Sequence, residues 1–407
     1  MTKGNEYENS VPLDLFLCAE SSDVAEFIKT VIKNSGNSNT LQFKECLQLV
    51  VSNLYLVERY SPGRYVAYER NKSWKPTTNP LGIKIDPLLR AVDALQELGY
   101  LENKKGFYNR NTGKGFVSRM RMTEAMKEQL IKEEVLRKDP ILRSMYRHSK
   151  EPIIILKDKN KRPVSYKRTA KIREMEDKLK RCNRLLADTE LTWMDMVFHR
   201  AKKRLYRVFN NRSWEQGGRF YGGCWQEMPG DERKLIEIEG KPTVEHDYCG
   251  MQVRLLYAKE GIEYGDGDPY TIPGREDDRD LLKLVLLIAL NAHKGKDSAI
   301  KAIISEMTMY PKEKRTKAYL SEIITEFEEM HKPIAKYFYS GIGLRLQYTD
   351  SQVAERIMYN LATKGILTLP VHDSFICSIE HQDKLLNEMK DCYYSIIGKY
   401  PVIKQVA

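Results

Sequence analysis

Long apolar runs, paired cysteines, internal repeats and low-complexity tracts are all missing from this 407-residue chain, and each absence narrows what it can be. No stretch approaches the ~18 consecutive apolar residues that a membrane-spanning helix needs. The seven cysteines, Cys18, Cys46, Cys182, Cys224, Cys249, Cys377 and Cys392, are odd in number and never stand as C-x-x-C. That pattern argues against a disulfide framework and a zinc ribbon, and points to a reducing compartment. The first apolar patch, Leu15-Phe16-Leu17, follows acidic and polar residues rather than the basic start of a signal peptide. The expectation is a soluble, cytoplasmic protein with no membrane partner. Acidic residues are in deficit as well: 56 Asp and Glu against 67 Lys and Arg leave a net charge of +11. Such a balance favours a polyanion over a small neutral ligand without naming one. The hydrophobic share of 42% permits cores of ordinary size. The length predicts two or three domains, because single cores rarely grow beyond ~250 residues.

Residues 1–40 read as an N-terminal extension, polar with a short helical stretch and ending in the linker-like Asn34–Thr40. From Leu41 the pattern turns helical, with Leu47, Val50, Val51, Leu54 and Leu56 on an apolar face. Asp86 and Pro87 then read as an N-cap and first-turn pair. Leu88, Leu89, Val92, Leu95 and Leu98 recur at helical spacing until Gly99. Tyr100-Leu101 opens a strand, and Phe116–Met120 forms the return strand. Between them lies a polar turn with Lys104, Lys105, Asn109, Arg110, Asn111 and Gly113.

Helix, strand, basic turn and strand in that order resemble a winged helix-turn-helix domain, here spanning 41–145. The resemblance implies duplex DNA as a partner, with the helix in the major groove and Lys104 and Lys105 on the backbone. The same fold also serves packing or protein contact, and the helix offers only Arg90 among long cations.

Residues 146–204 read as a basic helical connector or reduced thumb. Within 157–184, twelve Lys and Arg stand against four Asp and Glu. A second run, Arg200, Lys202, Lys203, Arg204, Arg207 and Arg212, follows with no acid among them. Charge runs are commonly solvated helix faces; two in succession suit a surface that tracks phosphates.

Four later segments belong together. Gly218-Arg219-Phe220-Tyr221 runs on to Trp225-Gln226-Glu227-Met228-Pro229. A hairpin of Lys234–Glu239 and Thr243–Tyr248, turned at 240–242, ends in Glu245-His246-Asp247-Tyr248-Cys249-Gly250-Met251-Gln252-Val253-Arg254. A helix carries Arg279, Lys283, Leu287 and Asn291. An apolar strand, Leu367–Val371, ends in His372-Asp373-Ser374-Phe375. Phosphoryl transfer from a nucleoside triphosphate needs divalent cations, and magnesium wants hard oxygen ligands such as one or two carboxylates. Asp247 and Asp373 each follow a β-run, so each is expected at a strand end, close enough to share ions if the strands are neighbours. Arg279, Lys283 and Asn291 are spaced in multiples of four on an otherwise apolar helix. That stripe either meets water or points at an anion such as a triphosphate.

As an ordered set, these segments resemble the palm and fingers of family A DNA polymerases and of the related single-subunit RNA polymerases of phages and mitochondria. The likeness spans roughly residues 205–385. Gly218-Arg219 through Gln226 and Pro229 is similar to the stretch that contacts primer–template. Asp247–Arg254 resembles the first metal motif, Arg279-x-x-x-Lys283 the fingers helix, and Val371-His372-Asp373-Ser374 the second metal motif. Ser351–Arg356 resembles a further helix near the template. The fold implied is α+β: a right-hand polymerase-like palm built on an antiparallel sheet, with helical fingers. The palm would occupy 205–260 and 361–407 and the fingers 261–360. The resemblance implies two Mg²⁺ (or Mn²⁺) ions held by Asp247 and Asp373, with the Tyr248 carbonyl assisting. It implies that Arg279 and Lys283 hold the triphosphate and that Lys283 protonates the leaving pyrophosphate. Arg219, Gln226, Arg254 and His372 would touch nucleic acid.

Three departures matter. Asn291 replaces an aromatic Tyr that stacks near the template base and judges the sugar. Gln252 stands where DNA polymerases carry the Glu that excludes a ribose hydroxyl, and Gly250-Met251-Gln252 is also close to the RNA polymerase pattern. No acidic constellation for a proofreading exonuclease stands out. The expectation is a small template-directed DNA polymerase from a mobile element, phage or plasmid, working on primer–template or single-stranded DNA and nucleoside triphosphates, aided by replication proteins. Two alternatives stay open: an RNA polymerase or primase on the same palm, and a non-catalytic DNA-binding initiator or regulator with a degenerate palm.

Overall fold

The computed structural model describes residues 10–37, 39–71, 81–109, 114–131, 139–194 and 196–406. The chain divides into two compact units, one of residues 1–152 with 195–202, the other of 153–194 with 203–407. Among the described residues no helix is long and apolar enough to cross a membrane.

The first unit is built from β1 (Ser10–Pro12), α1 (Ser22–Ser35), α2 (Leu41–Tyr60), β2 (Tyr65–Tyr68), α3 (Ile85–Glu97), β3 (Leu101–Lys104), β4 (Phe107–Asn109), β5 (Lys114–Phe116) and β6 (Ser118–Met122). A four-stranded sheet in the order β1-β2-β6-β3 is antiparallel except for the parallel β1–β2 pair. β4 and β5 form a separate hairpin. The described residues of the N-terminal extension read over 1–40 are built into this unit. β1 joins the sheet, and Val24, Phe27, Ile28 and Val31 of α1 enter the same core as Leu47, Val50 and Leu54 of α2. Their i, i+3, i+4, i+7 spacing is a full amphipathic stripe inside an otherwise polar stretch. α1 is closed by the Ser21 side chain at its start and by Gly36 in the left-handed region at its end. α3 starts two residues earlier than Asp86 as cap would require: Lys84 is the cap, and Pro87 falls within the first turn, where a missing N–H costs nothing. Gly99 follows the helix with φ +76. The predicted turn residues Arg110, Asn111 and Gly113 lie outside the described residues.

The second unit contains β7 (Ile154–Lys157), β8 (Pro163–Val164), α4 (Ala170–Asp188), β9 (Leu191–Trp193), β10 (Lys203–Phe209), β11 (Gly217–Gly223), β12 (Ile236–Ile238), β13 (Lys241–Tyr248), α5 (Met251–Lys259), α6 (Arg279–Asn291), α7 (Gly295–Glu306), α8 (Lys317–Met330), α9 (Gly343–Thr363), β14 (Leu369–Val371), β15 (Ser374–Ser378), α10 (Gln382–Ile397) and β16 (Ile403–Gln405). One sheet runs β8-β7-β10-β11. The other is antiparallel, in the order β9-β12-β13-β15-β14, and β16 also pairs with β13. α9 packs against α4, α10 and β11, while α6, α7 and α8 pack together as a helical layer.

The basic connector expected over 146–204 is not one element. Residues 153–194 belong to the second unit and 195–202 to the first. Half of its charge run is a packed helix, since α4 buries Ile172, Met175, Leu179, Cys182 and Leu186. The β12–β13 turn is also one residue off: Glu239 and Gly240, both with positive φ, link Ile238 to its partner Lys241, the two-residue geometry that suits twisted strands.

Candidate active site

β13 shows the period of a half-buried strand. Val244, His246 and Tyr248 are buried, and Thr243, Glu245 and Asp247 lie on the partly open face. Asp247 sits beside Ser374 of β15 on one side and Lys404 of β16 on the other. The β14–β15 hairpin closes with the two residues His372 and Asp373, between the paired Val371 and Ser374. His372 adopts φ +60 there. The Tyr248 N–H donates to the Asp373 carbonyl at 3.4 Å, so the two aspartates expected at strand ends are neighbours.

Burial pushes the Asp247 carboxyl from 3.8 up to about 7; Asp373 adds to the rise, and Lys404 and Lys283 oppose it. Among the described residues neither aspartate has a hydrogen-bond or ion-pair partner for its carboxylate. Glu245 differs, since it takes a bidentate bond from Arg233 at 3.0 Å and one from the Ser374 hydroxyl at 2.5 Å. Tyr248 turns its ring into the core, where its hydroxyl donates to the Met389 carbonyl at 2.6 Å. Only its backbone borders the site.

The hairpin that carries Asp373 is anchored from below. Trp225 Nε1 and Gln226 Nε2 both donate to the Pro370 carbonyl at 3.0 Å. Gln226 also donates to the Phe220 carbonyl and accepts from the Gly223 N–H. Its amide is thus bonded within the protein at three points. Arg219 makes a two-pronged contact with Asp350 of α9, at 3.2 and 3.1 Å through Nε. Burial pushes the Asp350 carboxyl up, against the pull of Arg219. Arg207, read as part of a phosphate-tracking run, is fully buried. It donates to the Gly218 carbonyl at 2.6 Å and the Ser351 hydroxyl at 3.0 Å, and pairs with Glu355 at 3.1 Å. Gly218, at φ +80, approaches Ser351 so closely that a Cβ would lie 2.8 Å from its hydroxyl. Lys203 is likewise buried, donating to the Thr189 carbonyl. Ser351–Arg356 therefore belongs to a helix that locks β10 and β11.

Arg254 is likewise bonded within the protein. It is 8% exposed, and its guanidinium donates to the carbonyls of Cys249, Gly265 and Gly267. It holds the loop after α5 rather than reaching for nucleic acid. Gly250, at φ +60, begins α5 directly against Pro269, where a Cβ would come within 2.4 Å of the ring. His331, fully buried, ties this loop down between the Tyr257 hydroxyl and the Pro269 carbonyl.

Arg279 and Lys283 share the open stripe of α6 with Asn291. Both cations lie over the Tyr270 ring, each 5.7 Å from its centroid. Arg279 pairs with Asp268, whereas Lys283 has no ion pair among the described residues. Burial and then Asp373, Asp268 and Asp247 push the Tyr270 hydroxyl far up. Tyr270 thus joins the cationic stripe to the acidic pair. Asn291 is farther along, donating to the Leu287 carbonyl at 2.7 Å and packed against Gly343. Gln252, in the first turn of α5, keeps its buried Oε1 without a hydrogen-bond partner among the described residues. His372 is exposed, edge-on to Tyr221 at 5.7 Å. In the first unit, Lys104 lies 3.5 Å from Glu102 and over the Tyr65 ring, and Lys105 is exposed.

Sequence reasoning passed over Asp268, Tyr270, Asp350 and Lys404. The first two stand in an irregular Gly-rich loop with no periodicity to mark them. Asp350 faces inward from an amphipathic helix. Nothing local connects position 404 to position 247; only the pairing of β16 with β13 does.

No family model matches the chain, and no curated protein is similar to it. Among solved structures it aligns with the POL domain of Pol1 from M. smegmatis in complex with DNA primer-template and dNTP, at 8% identity and a TM-score of 0.33. The alignment covers 96% of this chain and 66% of that one. A score of that size carries no argument about function, so the geometry has to stand by itself.

Proposed function

We propose that the chain is a template-directed nucleotidyltransferase, a small DNA polymerase without a proofreading exonuclease. One observation carries the reading: two adjacent carboxylates, Asp247 and Asp373, have no ion-pair partner among the described residues, and the Lys283 charge of the α6 stripe acts on Asp247. Like charges held together this way cost free energy unless a ligand neutralises them. Among the described residues no third His, Cys, Asp or Glu completes a protein cage for a metal. The donor set therefore fits Mg²⁺ or Mn²⁺ ions that keep water and substrate phosphates as remaining ligands. Two such ions, when bound, would polarise the reacting phosphate and lower the pKa of the attacking hydroxyl.

The protein's own contribution follows from its side chains. Asp247 and Asp373, with the Tyr248 carbonyl, would hold the ions. Lys283 and Arg279 receive the triphosphate, Arg279 exchanging its contact with Asp268 for phosphate oxygens. Lys283 supplies a proton to the departing pyrophosphate. Lys404, across the strand from Asp247, adds positive charge on the opposite flank. Gln252 faces the sugar, Asn291 lies near the templating base, and His372 lies near the primer terminus. The first unit, with its helix, sheet and basic hairpin, serves as a winged helix-like DNA-binding domain.

The test is nucleotide incorporation on a primed DNA template with Mg²⁺ or Mn²⁺, supplying dNTPs and NTPs separately, beside Asp373→Ala. Extension with dNTPs that falls at least about a thousandfold in the variant is expected, the size of effect that loss of metal-based charge stabilisation gives. Extension with NTPs alone would move the assignment to RNA or primer synthesis. DNA binding without incorporation from either set would leave the second unit as a scaffold.

A further inference from the structure

Among the described residues of the first unit, the β4–β5 hairpin carries the most exposed aromatic ring, Tyr108. The hairpin's two faces differ because successive residues of a strand point to opposite sides. On one face Phe107 and Phe116 are paired in register and stacked, with ring centroids 5.1 Å apart. On the other face Tyr108 lies across from Gly115, so no cross-strand side chain covers it. Tyr108 is 65% exposed, and the nearby Val117 is 45% exposed. Lys105, just ahead of the hairpin, is also exposed. Over residues 101–122 the sequence holds six Lys and Arg against the single acid Glu102. Gly106 keeps the approach to the hairpin tight, since a Cβ there would come within 2.4 Å of the Phe116 carbonyl.

We propose that the Tyr108 face of this hairpin is a stacking site for an unpaired nucleobase of a single-stranded nucleic acid. The inference rests on the reading of the chain as a nucleic-acid enzyme. A flat ring left bare by an opposing glycine, with the exposed Lys105 just ahead of it, has what such a strand requires. The ring offers a π-face to any base, and Lys105 offers charge to the backbone. A protein partner would instead need a larger continuous apolar patch than one ring and one valine provide. The role differs from that of a wing lying along duplex phosphates, because the base itself is contacted.

The experiment is fluorescence anisotropy of the full chain with labelled single-stranded DNA of about twelve nucleotides, within the span such sites cover. A strand of equal length with abasic sites serves for comparison. The wild type is expected to prefer the base-bearing strand about tenfold. Tyr108→Ala should abolish that preference while Tyr108→Trp keeps it. Lys105→Ala should weaken both strands equally and flatten the salt dependence. Unchanged melting temperatures confirm that the variants fold. A preference that survives Tyr108→Ala, or that is absent from the wild type, would overturn the proposal. Base preference is read here without metal or nucleotide, whereas incorporation is read with both. Failure of incorporation therefore tests the polymerase reading alone, and loss of base preference tests the hairpin alone.

Discussion

Asp247 and Asp350 lie in the same unit, and burial drives both carboxyls up to about 7. What surrounds them differs. Asp350 meets Arg219 in a two-pronged contact, with side-chain exposures of 1% and 13%. Asp247 meets another carboxylate in Asp373, and among the described residues neither has an ion pair. A buried acid with an internal guanidinium is a finished structural joint. A buried acid beside a second acid is incomplete until something positive arrives. That difference separates an acid that holds the sheet and helix together from the two that we propose hold metal ions.

The comparison can be broken most sharply by removing one acid from each place. Asp350→Ala strands Arg219 in a largely buried position and should lower stability by about 3 kcal/mol or more, the range for halving a buried pair. Asp247→Asn should instead leave stability unchanged or raise it slightly in metal-free buffer, because it removes a repulsion. Thermal or denaturant unfolding of the two variants checks this; equal losses would mean that Asp247 is as structural as Asp350.

Lys404 comes next in expected size. It faces Asp247 across the β13–β16 ladder, is exposed and has no ion pair among the described residues. Lys404→Ala should reduce incorporation by about tenfold, mainly through KM for the nucleotide, with little change in Tm, as expected when one exposed charge near a phosphate is lost. A large fall in Tm with unchanged kinetics would make Lys404 a sheet residue only.

The last test is a pH drift. A carboxyl raised in the folded state keeps its proton there while the unfolded chain has lost it. Asp247 therefore contributes its full share of stability below its unfolded value of 3.8, and loses it as pH rises through about 7. Metal-free protein should become less stable between about pH 4 and 7 through this group, and Asp247→Asn should flatten that slope. Mg²⁺ or Mn²⁺ should stabilise the wild type more at pH 8 than at pH 6, because cation and proton compete for the same oxygens. Melting curves at several pH values, with and without metal, read both effects.

Much of the second unit's site was legible in the chain. Asp247 and Asp373 announce themselves as polar residues closing apolar β-runs, and Arg279 and Lys283 as a charged stripe on a helix otherwise rich in Leu. These are local signals, set by periods of two and 3.6. The long polar side chains that turn inward have a common physical reason. Arg254, Gln226 and Arg207 look like nucleic-acid contacts because long polar side chains usually lie outside, yet each is drawn inward to satisfy backbone carbonyls that close packing would otherwise leave unpaired. The N-terminal extension shows the converse, since four apolar residues on one face of α1 outweigh its polar surroundings.

By itself, then, the sequence determined the elements: the amphipathic helices, the alternating strand β13, and the acids and cations at their ends. Tertiary structure alone decided which of those charges meet. The pairing of β13 with both β15 and β16 brings Asp373 and Lys404 to Asp247, and the packing of α9 on β11 assigns Arg219 to Asp350. Local spacing fixes where a side chain points, but only long-range strand register and helix packing fix what it points at.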